Sequence, residues 1–248
     1  MILLIDADSL VYASCLRAKS EGSSDKFYRD IEDSIAKFDQ QYMKIVNDLE
    51  ELYDIEKIYT FNGSKGNFRK ILTKTYKANR NDTEIPPLLS KMHEFVRKEY
   101  NGLFAYGIET DDLVAKYWYD ISKEVGRNKV MIVSIDKDYK QFPCLMYNYH
   151  FKHRKVYDIT EQEAIYNFYE QMIIGDGADN VNYFKGKGKA YAKKLYKSCN
   201  SKFCYVKNLY KLFIQEYKGK AKQKYIECYN LLKLRTKLWV YIIKQKKE

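Results

Sequence analysis

Eight acidic side chains, Asp6, Glu109, Asp111, Asp112, Asp136, Asp138, Asp176 and Asp179, fall in four short clusters, most of them where an apolar run ends. The clusters read ILLIDAD (2–8), GIETDD (107–112), VMIVSIDKD (130–138) and MIIGDGADN (172–180). Carboxylates gathered at the carboxyl ends of parallel strands repel one another unless a cation lies among them. Hard oxygen donors of this kind suit Mg²⁺ or Mn²⁺, and two such ions about 4 Å apart can activate water and stabilise the leaving oxygen of a phosphodiester. Zinc would call for His and Cys at ligand spacing, and His93, His150 and His153 are scattered.

Local spacing refines the clusters. Asp111 and Asp112 open a helix, which puts Glu109 and Asp112 one turn apart, and Asp136 and Asp138 leave a strand end on the same side. Gly177 is expected to turn the backbone so that Asp176 and Asp179 converge. A basic stretch accompanies the acids: Lys65, Arg69, Lys70, Lys74, Lys77 and Arg80 could hold phosphates, and Phe68 and Tyr76 could stack on bases. Packing within a helical hairpin is the plain alternative for both rings.

The elements that must position these residues read as an α/β fold. Strand-like runs 2–5, 57–61, 103–105 and 130–135 alternate with helical stretches, as in a central, mostly parallel sheet flanked by helices. Between 28 and 52, apolar residues at Ile31, Ile35, Phe38, Tyr42, Ile45, Val46 and Leu49 predict one long amphipathic helix. From 63 to 101 the pattern loosens into a basic excursion, broken by Pro86-Pro87 and followed by a helix over about 88–100. After Asn180 everything reads as helix, with Gly186 and Gly188 in a tight turn and amphipathic stretches over 206–217 and 222–243. A domain boundary is expected near residue 180.

Composition narrows the class. At 248 residues and 46% hydrophobic, the chain can bury a sizeable core. Cys15, Cys144, Cys199, Cys204 and Cys228 contain no CxxC pair, so neither a disulfide framework nor structural zinc is expected, and a reducing cytoplasm fits. No leader is visible, and apolar runs such as 238–243 fall far short of the ~20 residues of a membrane span. A soluble protein without membrane contact is expected. Net charge is +11, but residues 181–248 hold 19 Lys/Arg against 3 Asp/Glu, a balance of +16 that leaves −5 for the rest. With Tyr183, Tyr191, Tyr196, Tyr205, Tyr210 and Tyr217 interleaved, this region fits a surface that follows a phosphate backbone, a lysine-rich solvated face being the alternative.

The order of the motifs resembles the 5′-nuclease superfamily: bacteriophage flap endonucleases, 5′–3′ exonucleases and the 5′-nuclease domain of bacterial DNA polymerase I. LLIDADSLVYAS is similar to the first-strand motif, FNGSKGNFRKILTKTYKANR to the stretch ending in FR…YKxNR, and GIETDDLVA to GxEADDxxA. IVSIDKDYKQF is similar to xxSxDKDxxQL, and IIGDGADNVNYFKGKGKAYAKKL to IxGDxSDNxPGVxGIGxKTAxxLL. The resemblance implies a PIN-like nuclease core over 1–180 with a helical arch at about 63–101, and a helical DNA-binding region over 181–248 with a helix–turn–helix variant at about 183–198. It implies all eight acids as metal ligands for two ions, Mg²⁺ or Mn²⁺, and Lys77 and Arg80 as electrophilic groups at the scissile phosphate. Implied DNA contacts are Arg69, Lys70, Lys77 and Arg80, then Gly186, Lys187, Gly188, Lys189, Lys193 and Lys194, with K⁺ assisting at the variant turn.

The implied substrate is DNA with a 5′ flap, a nick or a free 5′ end, or an RNA–DNA hybrid, cut by a monomer in replication or repair. The Lys- and Tyr-rich composition suits a virus or an AT-rich genome, which would make the location a host cytoplasm. Two positions depart from the family. Asn62 stands where a second-strand Asp is usual, keeping an oxygen ligand without its charge. In the variant turn Ala190 takes the lysine position and Asn182-Tyr183 replaces Pro-Gly.

Two other readings compete. Asp6-Ala7-Asp8 and Gly175 to Asp179 match the DxD and GDGxxD pieces of haloacid-dehalogenase-type phosphatases, which have no use for ETDD, YKANR or a basic tail. Loss of one ligand at Asn62 would alternatively leave a branched-DNA-binding protein with weak or no cleavage.

Overall fold

Ile2 and Leu4 face one side of the first strand and Leu3 and Ile5 the other, and all four are buried. A strand apolar on both faces must lie inside a sheet covered by helices on both sides. The computed structural model describes residues 1–17, 28–81 and 83–237, and within them that arrangement holds. Six strands, β1 (Ile2–Asp6), β2 (Lys57–Lys65), β3 (Leu103–Tyr106), β4 (Val130–Val133), β5 (Leu145–Asn148) and β6 (Lys155–Asp158), form one sheet in the order β3-β2-β1-β4-β5-β6. Every neighbouring pair is parallel except β5 with β6. The order reverses between β1 and β4, and a crevice opens beyond the carboxyl ends of the strands at such a switch point.

One face of the sheet is covered by α1 (Asp8–Ser14), α2 (Ile31–Glu50) and α4 (Leu89–Glu99). Asp30 caps α2 by accepting from the Asp33 amide, and Phe38 and Leu49 are fully buried with Met92 and Val96 of α4. Each such side chain contributes about 1.5–3 kcal/mol by leaving water. The other face is covered by α5 (Thr110–Val125), through Val114, Ala115 and Trp118, and by the start of α6 (Glu161–Ile174) through Ala164. A third apolar cluster joins Phe168 and Met172 of α6 to α7 (Lys189–Leu195), α8 (Lys202–Tyr217) and α9 (Ala221–Leu232). Packing therefore runs continuously across residue 180.

Several expectations are corrected. The hairpin β5–β6 gave little periodic signal because its strands are only four residues each. The excursion after β2 is shorter than 63–101: β2 runs on to Lys65, a short α3 (Phe68–Leu72) and a 3₁₀ turn (Ala78–Arg80) follow, and α4 rejoins the sheet layer. Cys199 and Cys204 are disulfide-bonded across the α7–α8 connection, where the chain brings their Cα atoms to 5.4 Å; the other three cysteines are free and buried. Finally α9 stops at Leu232 although helical periodicity continues to 243; residues 238–243 lie outside the described residues.

Competing hydrogen bonds end α9. Arg69 donates from Nε to the Leu231 carbonyl (2.9 Å) and from Nη2 to that of Lys233 (3.0 Å), while Asp112 accepts from the Arg235 amide (2.8 Å). Gln141 adds a two-point grip, donating to the Leu232 carbonyl and accepting from the Leu234 amide, both at 3.1 Å. The segment after α9 is thus strapped, extended, onto the core.

Two stability predictions follow from this strap. Arg69→Met strands the fully buried Asp112 carboxylate and should cost about 3–5 kcal/mol in chemical denaturation. Lys233 is drawn down to about 8 from 10.5, mainly by burial, with its ammonium 4.9 Å from the Phe142 ring and 4.7 Å from that of Phe168. Its charge is therefore a cost at neutral pH, fully present below about 8 and relieved as pH rises toward 10.5. Lys233→Met should stabilise the protein at pH 7 by on the order of 2 kcal/mol, since two rings return part of the desolvation cost. Melting curves should show that advantage shrinking between pH 8 and 10.5.

Candidate metal centre

Asp6 ends β1, and its Oδ2 accepts from the Tyr139 hydroxyl at 2.8 Å. Asp136 and Asp138 emerge just past β4, where the Asp136 carboxylate caps the next turn through the Asp138 amide at 2.8 Å. Glu109 and Asp111 flank Thr110 at the start of α5, where Glu109 and Asp112 form a reciprocal capping box. Asp176 and Asp179 follow α6 in a turn that Asp176 organises by accepting from the Ala178 amide at 2.9 Å. These carboxylates, Asp112 excepted, line one cleft of about 820 Å³ at the carboxyl ends of the strands.

Charge is unevenly balanced within the cleft. On one side Lys77 pairs with Glu109 and lies 3.5 Å from Asp179, Arg80 pairs with Asp179 (2.9 Å), and Lys137 pairs with Asp176 (2.9 Å). The Tyr76 hydroxyl bridges Glu109 (2.8 Å) and Asp179 (2.7 Å), tying α5 to the turn after α6. On the other side, no ion pair among the described residues involves Asp6, Asp8, Asp111, Asp136 or Asp138. Proton affinities follow this division. Burial, then Asp8, pushes Asp6 up to about 7, and burial, then Asp136 and Asp176, pushes Asp138 up to about 7. Burial with Asp112 and Glu109 holds Asp111 well above the usual range. Burial also works against Glu109, but Lys77 and Arg69 hold it below the ordinary value; Lys137 does the same for Asp176.

An all-oxygen set short of positive charge fits a hard divalent cation rather than zinc or copper. One carboxylate oxygen each from Glu109, Asp111 and Asp112 already lies within 4.8 Å of the others. Asp112, however, commits both oxygens to Arg69, at 2.5 and 2.8 Å, and accepts from the Glu109 and Arg235 amides. It orders the site from behind.

Three further assignments change. Arg69, expected at the DNA phosphates, is 1% exposed, and its guanidinium is spent on Asp112, Glu109 and two carbonyls. Burial opposes its charge, but the neighbouring acids raise its proton affinity further still. Asn62, expected as a ligand, is fully buried and turned away from the cleft, its Nδ2 donating to the His93 carbonyl at 2.8 Å. Its Oδ1 sits against Gly102, where any side chain would collide at 2.5 Å. Tyr76 is 2% exposed and offers no ring to a base. Gly175, not Gly177, makes the sharp turn: its φ is +75°, and a side chain there would meet the Val181 carbonyl at 2.1 Å.

Of the expected DNA-contacting residues, Lys70, Lys77 and Arg80 line the cleft. Gly186, Gly188, Lys189, Lys193 and Lys194 are exposed at the turn and on α7 outside it, and the half-buried Lys187 lies 3.7 Å from Glu216. Several cleft residues had no place in the nuclease reading of the sequence, among them Asp8, Lys137 and Thr110. Asp8 was legible as the second acid of ILLIDAD; Thr110 carried no signal.

The family model for the 5′–3′ exonuclease N-terminal resolvase-like domain matches residues 1–170. A 5′–3′ exonuclease of Buchnera aphidicola subsp. Schizaphis graminum is 31% identical over 182 residues, covering 67% of this chain and 60% of the relative. A second, from Buchnera aphidicola subsp. Acyrthosiphon pisum, is 30% identical over 155 residues, 56% of this chain and 52% of the relative. The chain thus spans little more than half the length of these curated relatives. A bacteriophage T5 protein co-crystallised with metal ions superposes with a TM-score of 0.65 at 14% identity, covering 93% of this chain and 89% of its own. A T5 flap endonuclease in a pseudo-enzyme–product complex with DNA and metal ions gives 0.63 at 17% identity with the same coverage. At those identities the likeness is one of fold. The match over residues 1–170 and the order of the acidic motifs give the conclusion that the chain belongs to the 5′–3′ exonuclease family.

Proposed function

We propose that the chain is a metal-dependent, structure-selective 5′ nuclease that hydrolyses phosphodiester bonds near the 5′ end of DNA at a flap, nick or free end. The observation that carries this reading is the convergence of seven of the eight expected carboxylates, from four chain segments, on one cleft, where Asp6, Asp111, Asp136 and Asp138 have no ion-pair partner among the described residues. Family membership and the T5 complex containing DNA and metal ions support it. Asp6, Asp111, Asp136 and Asp138 would hold Mg²⁺ or Mn²⁺, with Glu109, Asp176 and Asp179 completing two sites. Bound there, such ions lower the pKa of water and stabilise charge on the leaving oxygen.

The chain's own residues supply positioning. Lys77 and Arg80 stand at the cleft lining with their charge on Glu109 and Asp179, where an entering phosphate can take that charge onto its non-bridging oxygens. Tyr76 keeps Glu109 and Asp179 in fixed relation as those cations move. Arg69 and Asp112 hold α3, α5 and the strap together, so the acids on α5 keep their places under mutual repulsion.

The exposed lysines of α7 and the turn before it are proposed to follow the duplex phosphates, with residues 1–180 as the catalytic unit and 181–248 as the DNA-gripping one. K⁺ at the turn before α7, action on an RNA–DNA hybrid, and a monomer working in the cytoplasm belong to the same proposal. The binding-only alternative rested on Asn62 as a weakened ligand, and that side chain is turned away from the cleft.

Asp6→Ala and Asp176→Ala should each abolish Mg²⁺-dependent cleavage of a labelled 5′-flap substrate while duplex binding in a gel-shift assay persists; cleavage by both purified variants would defeat the reading. Lys77→Met should lower kcat by about 10²–10³, the usual loss for one electrostatic donor at a developing charge, in a protein that still binds the flap substrate.

A further inference from the structure

Asp8 lies in the same cleft as the assigned acids yet belongs to no assigned role. It opens α1 directly after β1, and its Oδ1 accepts from the Gly63 amide at 2.5 Å. That bond pins the carboxylate to the end of β2, at the residue following Asn62. Asn62 has turned the other way, buried at 0% exposure with its amide on the His93 carbonyl. The end of β2 therefore presents the cleft with a carboxylate carried by the neighbouring strand's helix, while the β2 side chain itself is sequestered.

Two observations within the cleft point to a ligand. No Lys or Arg among the described residues pairs with Asp8, and its Oδ2 accepts no hydrogen bond from them. Thr110, 4% exposed and lining the same cleft, has a buried hydroxyl with no hydrogen-bond partner among the described residues. Beside the unpaired Asp111, this hydroxyl adds an oxygen donor left free for a ligand of the cleft.

We propose that Asp8 is a metal-ligating carboxylate of this chain, supplying at the β1–β2 side of the cleft the negative charge that Asn62 does not. The proposal rests on the metal-dependent reading of the same cleft. The ligand class is a hard divalent cation, and the donors from this corner are all oxygen.

The test is Mn²⁺ titration of the full chain by calorimetry and electron paramagnetic resonance, beside melting curves in EDTA. Asp8→Asn keeps the Oδ1 acceptor for Gly63, so its EDTA melting temperature should match or exceed that of the parent protein. Its affinity for one Mn²⁺ should fall at least about tenfold, the low end of what disturbing a metal's surroundings costs. Asn62→Ala should leave Mn²⁺ affinity within about twofold, since that side chain faces away; a tenfold loss there would make Asn62 the ligand and overturn the proposal. Should Asp8→Asn fail to fold, Mn²⁺-induced relaxation of the Asp8 and Gly63 resonances in the parent protein, against those of Asn62, supplies the comparison. Unchanged Mn²⁺ affinity in a folded Asp8 variant overturns the role of Asp8 and leaves the nuclease reading standing, whereas absence of Mn²⁺ binding by the parent protein overturns both.

Discussion

Mutual repulsion among carboxylates at one end of the sheet is the constraint from which the rest of the structure follows. Parallel strands deliver Asp6, Asp136 and Asp138 to the same edge, and α5 and the turn after α6 add four more acids. Within a partly buried cleft such charges interact far more strongly than in water. The fold answers with ion pairs on one side, at Glu109, Asp176 and Asp179, through Lys77, Arg80 and Lys137. On the other side the proton affinities of Asp6, Asp111 and Asp138 rise, which is the electrostatic mark of a place that favours added positive charge.

Holding such a cluster together requires rigid support behind it, and Arg69 provides that. Its fork reaches Asp112 and Glu109 in front and the carbonyls of Leu231 and Lys233 behind. A buried ion pair of this kind adds little net stability by itself, but removing one partner leaves an uncompensated charge. The end of α9 and the strap after it are thereby tied to the acids of α5. The end of α9 and the proposed cutting centre share one buried side chain.

Much of this was legible in the chain. Buried parallel strands announce themselves by apolar runs, and strand ends followed by acids stood out because so few other residues there are charged. The α2 helix followed its three-and-four spacing closely. What periodicity does not carry is the direction of a single polar side chain. Asn62 and Asp8 exchange places at the cleft through one hydrogen bond to Gly63 and another to His93, contacts separated by 55 and 31 residues. Arg69 and Tyr76 carry side chains that suit a nucleic-acid surface, and tertiary packing spent them inward. The end of α9 was misread for a related reason: its sequence favours helix, but Arg69, Gln141 and Asp112 outbid the helical hydrogen bonds.

The central claim is that the unpaired acids of the cleft share divalent cations. Anomalous diffraction from crystals grown with Mn²⁺ tests it directly. The account predicts Mn²⁺ peaks inside the cleft, ligated by oxygens of Asp6, Asp111, Asp136 and Asp138, with Lys77 released from Glu109. Crystals that diffract well in saturating Mn²⁺ and show no peak among these carboxylates, or show the metal only elsewhere on the surface, would contradict it.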